Sequence, residues 1–208
     1  LGVTHLDIVP RTGEADNYLV HADKNPNTAG ARLILGTEPG SQLAAIRDKV
    51  DRGEITTVIA LQENLLGEAG FTTAQLGKLQ SFIAGHILAN PGAEHAHVVL
   101  PLAAYAEKRG SLINATGRLQ RINKATEPAG EARSDWEVLR DLTLAVSGQN
   151  GLYSIEDVFK SMASAIPAFA GLNLGKIGDL GLPLLETTET IPLLEKERER
   201  VAKGEIVG

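Results

Sequence analysis

Apolar positions alternate between helical and strand spacing through the first half of the chain. Ser41 opens an amphipathic segment in which Leu43, Ile46 and Val50 recur every three or four residues, with Arg47, Asp48, Lys49 and Arg52 largely on the other face. Gly53 closes it. The run Ile55 to Leu61 is β-branched and nearly unbroken in apolarity, which predicts a strand covered on both faces. A second pair follows, with a helix over Thr73–Lys78 and a strand over Leu79–Ile83. The third is the short Ala93–Ala96 segment and a buried strand Val98-Val99-Leu100, ended by Pro101. Helix–strand alternation with short glycine-containing links predicts an α/β fold, a mostly parallel sheet with flanking helices.

Two short apolar runs, Leu6–Val9 and Tyr18–Val20, precede this region and read as strands. The polar stretch His21 to Thr28 follows, where Asn27 or Thr28 can cap a short helix through Leu35 that Gly36 ends. Beyond Pro101 the alternation stops. Ser111–Asn114 and Arg118–Ile122 pair as a hairpin around Ala115-Thr116-Gly117. Ser134 or Asp135 caps a helix carrying Trp136, Leu139, Leu142 and Val146, and Ser154 to Asp157 forms a capping box for a helix through Ala165. Gly171 to Thr190 is rich in Gly, Pro and Thr and predicts an extended arm, followed by a charged helix over Leu193–Lys203. The expected division is an α/β domain over 1–147 and a helical and extended C-terminal extension over 148–208.

Composition narrows the chemistry. The 208 residues include no cysteine. Disulfides, thiolate zinc sites and cysteine-ligated iron–sulfur clusters are therefore excluded from this chain. A formal net charge of −6 gives no basic footprint for nucleic acid. No apolar run approaches the ~20 residues of a membrane span, so direct membrane insertion is not expected. The sequence opens on Leu1, as a piece of a longer protein would, and the expected location is cytoplasmic.

Few constellations carry chemistry of their own. His95 and His97 flank Ala96 and suggest a metal pair, but two histidines entering a strand at alternate positions share one face without any ligand. Asp23, Lys24, Asn25 and Asn27 form a polar cluster that could bind a ligand, and turn chemistry explains it as well. There is no G-x-x-x-x-G-K-[ST] loop, no G-x-G-x-x-G after a strand, no G-x-S-x-G elbow and no H-E-x-x-H helix.

One stretch is more specific. Ala96-His97-Val98-Val99-Leu100-Pro101 leads to Glu107, Gly110, Asn114, Gly117, Arg118 and Gln120. Physically this is a strand ending at a proline, a polar segment and a hairpin, in which Asn114 bonds the turn and Glu107 and Arg118 could form a buried pair. The stretch resembles the A-D-V-V-L-P … E-x-x-G-T-x-x-N-x-x-G-R-x-Q signature of the molybdopterin oxidoreductase superfamily. Within it, His21–Ala31 and Ile46–Glu54 resemble the large iron–sulfur subunit of bacterial NADH:quinone oxidoreductase, complex I, in its C-terminal part. The likeness covers about residues 1 to 145.

Departures from the superfamily pattern accompany the likeness. His97 replaces the acidic residue before V-V-L-P. The T-x-T-A-type loop that helps hold the nucleotide of the pterin cofactor in molybdenum enzymes reads Ala89-Asn90-Pro91-Gly92-Ala93. Helices and an arm follow Trp136 where a molybdenum enzyme continues into a β-barrel. The resemblance thus implies a structural, cofactor-free part of a respiratory-chain NADH dehydrogenase supporting electron transfer to quinone, with iron–sulfur clusters upstream in the parent subunit. Its partners would be other subunits of the complex I peripheral arm, engaged through the tail from Gly171, and the assembly would hold it at the inner membrane. Two rivals stand beside this: a domain of a molybdopterin-dependent enzyme such as a formate dehydrogenase, and a stand-alone α/β module binding a small ligand near Asp23–Thr28.

Overall fold

The computed structural model describes residues 2–16, 20–186, 196 and 199–205. Two three-stranded sheets organise the described residues. In chain order the elements are α1 (Thr28–Leu35), α2 (Leu43–Asp51), β1 (Thr57–Leu61), α3 (Thr73–Leu76), β2 (Ser81–His86) and β3 (Val98–Pro101). Then come β4 (Gly110–Ile113), β5 (Arg118–Ile122), α4 (Asp135–Ser147), α5 (Ile155–Ala165) and β6 (Leu182–Pro183).

The first sheet is parallel in the order β1-β2-β3, with Val58 beside Phe82 and Ala84 beside Val99. Parallel strands need crossovers, and α3 supplies one between β1 and β2. Thr72 fixes its start: its hydroxyl accepts the Gln75 N–H at 3.2 Å, and the Gln75 side chain accepts the Thr72 N–H at 2.9 Å. Val50 of α2 and Leu76 of α3 pack with Ala60, Phe82 and Ala84 in the first core.

The α/β class expected from the sequence is the one observed, with several boundaries moved. Residues 55 and 56 lie outside β1, and β2 begins at Ser81 rather than Leu79, because Leu79 is buried in the turn that leads into it. Leu6–Val9 forms no strand; only an isolated bridge between Thr12 and Asp23 appears nearby, and residues 17–19 lie outside the described set. Val98 and Val99 are 45% and 55% exposed, not buried. The physical reason is position, since β3 is an edge of the sheet.

His97 begins that edge. Its backbone N–H donates to the Phe82 carbonyl at 2.8 Å, and its Nδ1 accepts the Phe82 N–H at 3.0 Å. A side chain thus does the work of a strand carbonyl, a role a carboxylate would also fill. Replacing His97 by Phe leaves a buried N–H without its partner and should cost about 1–3 kcal/mol in urea unfolding. His97→Asp should restore most of it, and equal losses for both variants would refute the acceptor role.

The second sheet, β4-β5-β6, is antiparallel. Ile113 and Leu119 of the hairpin, Phe159 of α5, Phe169, Leu174 and Ile177 form a second core. The Phe159 and Phe169 rings meet edge to face at 6.1 Å. This core draws on residues from both sides of position 147. The expected extended arm is corrected over residues 171–186. Its Leu174 and Ile177 are buried, and Leu182-Pro183 adds β6 to the hairpin. Apolar residues spaced irregularly along a Gly- and Pro-rich segment found a surface to cover that the local pattern does not announce. Residues 187–195 of the arm and charged helix lie outside the described set.

Candidate functional site

The polar segment after residue 20 and the hairpin, 86 positions apart at their closest hydrogen bond, come together. The Asn27 Oδ1 accepts the Ile113 N–H at 2.7 Å, which ties the start of α1 to the end of β4. Asn27 is the N-cap of α1, yet its side chain makes no bond to its own helix. The hairpin has taken the cap.

Between the two segments lies a half-open cleft of about 830 Å³, walled by Lys24, Thr28 and Arg32 on one side and by Leu112, Asn114 and Gln120 on the other. That volume falls in the range of small-molecule sites, about 300–1,000 Å³. The polar cluster itself is turn chemistry: Asp23 Oδ1 accepts the Asn25 N–H at 2.9 Å, and Lys24 Nζ donates to the carbonyls of Glu14 and His21. Arg32, on the cleft wall, forms a bidentate pair with Glu38 at 2.6 and 2.9 Å. The Thr28 hydroxyl is buried with no hydrogen-bond partner.

The motif residues of the hairpin divide by task. Asn114 Oδ1 accepts the backbone N–H groups of Thr116 and Arg118 at 3.1 and 2.9 Å, so it bonds the turn as expected. Gly117 takes φ +73°, and a β-carbon there would stand 2.2 Å from the Leu185 carbonyl oxygen. Gln120 pairs with Leu112 and lines the cleft. Gly110 opens β4 with open space around its missing β-carbon. The suggested Glu107–Arg118 pair does not form. Glu107 accepts the Ala104 N–H at 2.8 Å, while Arg118 Nη1 donates to the Leu180 and Gly181 carbonyls at 2.8 and 3.1 Å. The arm's return gives Arg118 two carbonyl acceptors, and no carboxylate among the described residues pairs with it.

At the carboxyl ends of the parallel strands, where ligands sit in α/β sheets, a second group gathers. Gln62 is the non-glycine residue with positive φ, 61°, among the described residues. Its Nε2 reaches the Ala103 carbonyl and Asp135 Oδ1, both at 3.3 Å, and Lys108 Nζ pairs with Asp135 Oδ2 at 2.6 Å. Arg11 joins Glu63 at 2.7 Å, and His86 Nε2 donates to the Glu63 carbonyl at 2.7 Å. Sequence reasoning missed Gln62, Lys108 and Asp135 as a set, because 73 positions separate the glutamine from the aspartate. The carboxylates with lowered pKa, Asp51, Glu54, Asp141 and Asp157, owe this first to side-chain hydrogen bonds from Lys78, Arg52, Arg133 and Ser154 respectively, and none lines the cleft.

The loop Ala89–Ala93 after β2 is closed on itself. The Ala93 N–H bonds both oxygens of Asn90 at 3.1 Å, and the Gly92 N–H bonds Asn64 Oδ1 at 3.1 Å. A β-carbon at Gly92 would meet that Asn64 oxygen at 2.5 Å and the Leu65 nitrogen at 3.1 Å. With its Gly92 and Ala93 N–H groups engaged by the chain's own oxygens, the loop offers neither of them to a nucleotide.

Comparison with known proteins places this fold. A solved structure of acetylene hydratase from Pelobacter acetylenicus superposes with a TM-score of 0.52 over 67% of this chain and 20% of that one, at 14% identity, a likeness of fold alone. The family model for molybdopterin oxidoreductase matches residues 6–144. The chain belongs to the molybdopterin oxidoreductase family. F420-dependent formate dehydrogenase 2 subunit alpha of Methanococcus maripaludis is 35% identical over 128 residues, 59% of this chain and 19% of that protein. NADPH-Fe(3+) oxidoreductase subunit alpha of Geobacter sulfurreducens is 35% identical over 103 residues, 50% of this chain and 12% of that protein. The chain thus spans a fifth or less of these relatives' length.

Proposed function

We propose that this chain is a framework domain in the large subunit of a multi-subunit oxidoreductase. The observation that carries the reading is the joint of the Asn27 segment with the superfamily hairpin, which makes one rigid unit of two motif regions far apart in sequence. Membership in the family and the named relatives, both subunits designated alpha, support it. Among particular enzymes, those relatives favour an oxidoreductase of the formate dehydrogenase kind, whose pterin would depend on polypeptide beyond these residues.

A second reading has its own observation. The closed Ala89–Ala93 loop favours a subunit that keeps the fold without the cofactor, as in the large iron–sulfur subunit of complex I. Metal and pterin analysis of the native enzyme separates the two. Stoichiometric molybdenum with formate oxidation establishes the first. Iron without molybdenum, with NADH-dependent quinone reduction, establishes the second. An assembly showing neither activity would overturn both.

A further inference from the structure

We propose that Asn150 is a site of self-modification, where the Gly151 nitrogen closes a cyclic imide that water opens to aspartate and isoaspartate. Among the asparagines of the chain, Asn150 is the one followed by glycine. It lies in the loop between α4 and α5, within a stretch from Leu144 to Tyr153 that is exposed throughout. Its side chain is already folded onto the atom that attacks it. The Gly151 N–H donates to Asn150 Oδ1 at 2.9 Å, so the amide carbon, one bond behind that oxygen, lies close to the nitrogen. Reacting atoms about 3–3.5 Å apart define a near-attack arrangement. Gly151 sits at φ 130° with nothing within 4 Å of where a β-carbon would stand, so no side chain crowds the ring as it closes.

The chemistry needs only this loop and water, whichever oxidoreductase the chain serves. The Gly151 nitrogen loses its proton to a base in solvent and bonds to Asn150 Cγ. The bond from Cγ to Nδ2 breaks, and the nitrogen takes up protons from water and leaves as ammonia. One water then adds to either carbonyl of the imide: one opening gives aspartate, the other isoaspartate. Nothing is oxidised or reduced. Elsewhere one of these conditions is missing. Asn25 and Asn90 precede proline, whose nitrogen has no hydrogen to lose. Asn27, Asn64, Asn114 and Asn173 each spend Oδ1 on a backbone N–H beyond their own following residue. Asn123 is exposed, but the lysine after it carries the β-carbon that Gly151 lacks. The product has one more negative charge than the −6 of the unmodified chain, and isoaspartate lengthens the backbone between α4 and α5 by one bond. Neither core draws on residues 144–153, so both should survive the change.

The test holds the full chain at mildly alkaline pH and body temperature and follows the tryptic peptide 141–160, in which Asn150 is the sole asparagine, by mass spectrometry. A sample digested at once corrects for conversion during digestion. Asn150 should convert at least about tenfold faster than any other asparagine, to a mixture of isoaspartate and aspartate, with thermal unfolding unchanged. Gly151→Ala should convert at least about tenfold more slowly than wild type. Aspartate without isoaspartate would overturn the imide, because direct hydrolysis of the side chain gives aspartate alone. An Asn150 that stays intact in the folded chain, or a Gly151→Ala variant that converts at the wild-type rate, would overturn the proposal as well. The wild-type products are read without any variant, so a misfolded Gly151→Ala leaves the test intact.

Discussion

Replacing Ile177 by alanine should destabilise the chain by about 2–5 kcal/mol, the cost of emptying a fully packed aliphatic site. Ile177 has no exposed surface, although it sits in a segment whose Gly, Pro and Thr content suggests an arm. It packs in one core with Ile113 and Leu119 of the hairpin and Phe159 of α5. Leu180, three residues on and 85% exposed, is the internal control and should change stability by less than about 0.5 kcal/mol on the same substitution. Urea unfolding of the two variants measures the difference. A loss below about 1 kcal/mol for Ile177→Ala would mean that residues 171–186 ride on the surface instead of closing the second core.

Gly117→Val should be as damaging, by a different route. Two faults add. The backbone at φ +73° costs a side-chain-bearing residue about 1–2 kcal/mol, and a β-branched one more. The new β-carbon would also fall 2.2 Å from the Leu185 carbonyl oxygen, backbone that is held in place because the Leu184 and Leu185 N–H groups both donate to the Gly117 carbonyl at 3.0 Å. The arm must leave the hairpin or the turn must open, and the expected loss exceeds about 3 kcal/mol. Gly110→Ala, in open space, should be neutral within about 0.5 kcal/mol. Thermal unfolding of both checks this, and a Gly117→Val variant as stable as Gly110→Ala would contradict the account of the turn.

These two sites show what the sequence reveals and what it leaves hidden. The parallel sheet was legible because Val58, Ile59, Phe82 and Ile83 lie in compact apolar runs set between amphipathic helices, a local signal. The hairpin was legible from Asn114 and Gly117, whose turn chemistry is also local. The cleft was not. Its two walls meet through tertiary packing, where Asn27 bonds Ile113 and not its own helix. Arg118 shows the same limit: charge suggests Glu107 as its partner, but the returning arm brings two carbonyls to it first. Edge exposure of Val98 and Val99 also depends on strand order, which apolarity alone does not encode.

The missing cysteines take on a narrower meaning in this setting. They exclude cysteine-held clusters from these 208 residues and say nothing against such clusters elsewhere in an assembly. The chain's contribution lies in the two packed cores and the joint between Asn27 and Ile113.

The most direct measurement is purification of the native protein under mild conditions, with mass determination, subunit identification and iron analysis on the same sample. A framework domain of an oxidoreductase large subunit should be recovered in an iron-containing assembly with other redox subunits. Recovery of a 22.0 kDa monomer with no iron and no redox partner would contradict the account.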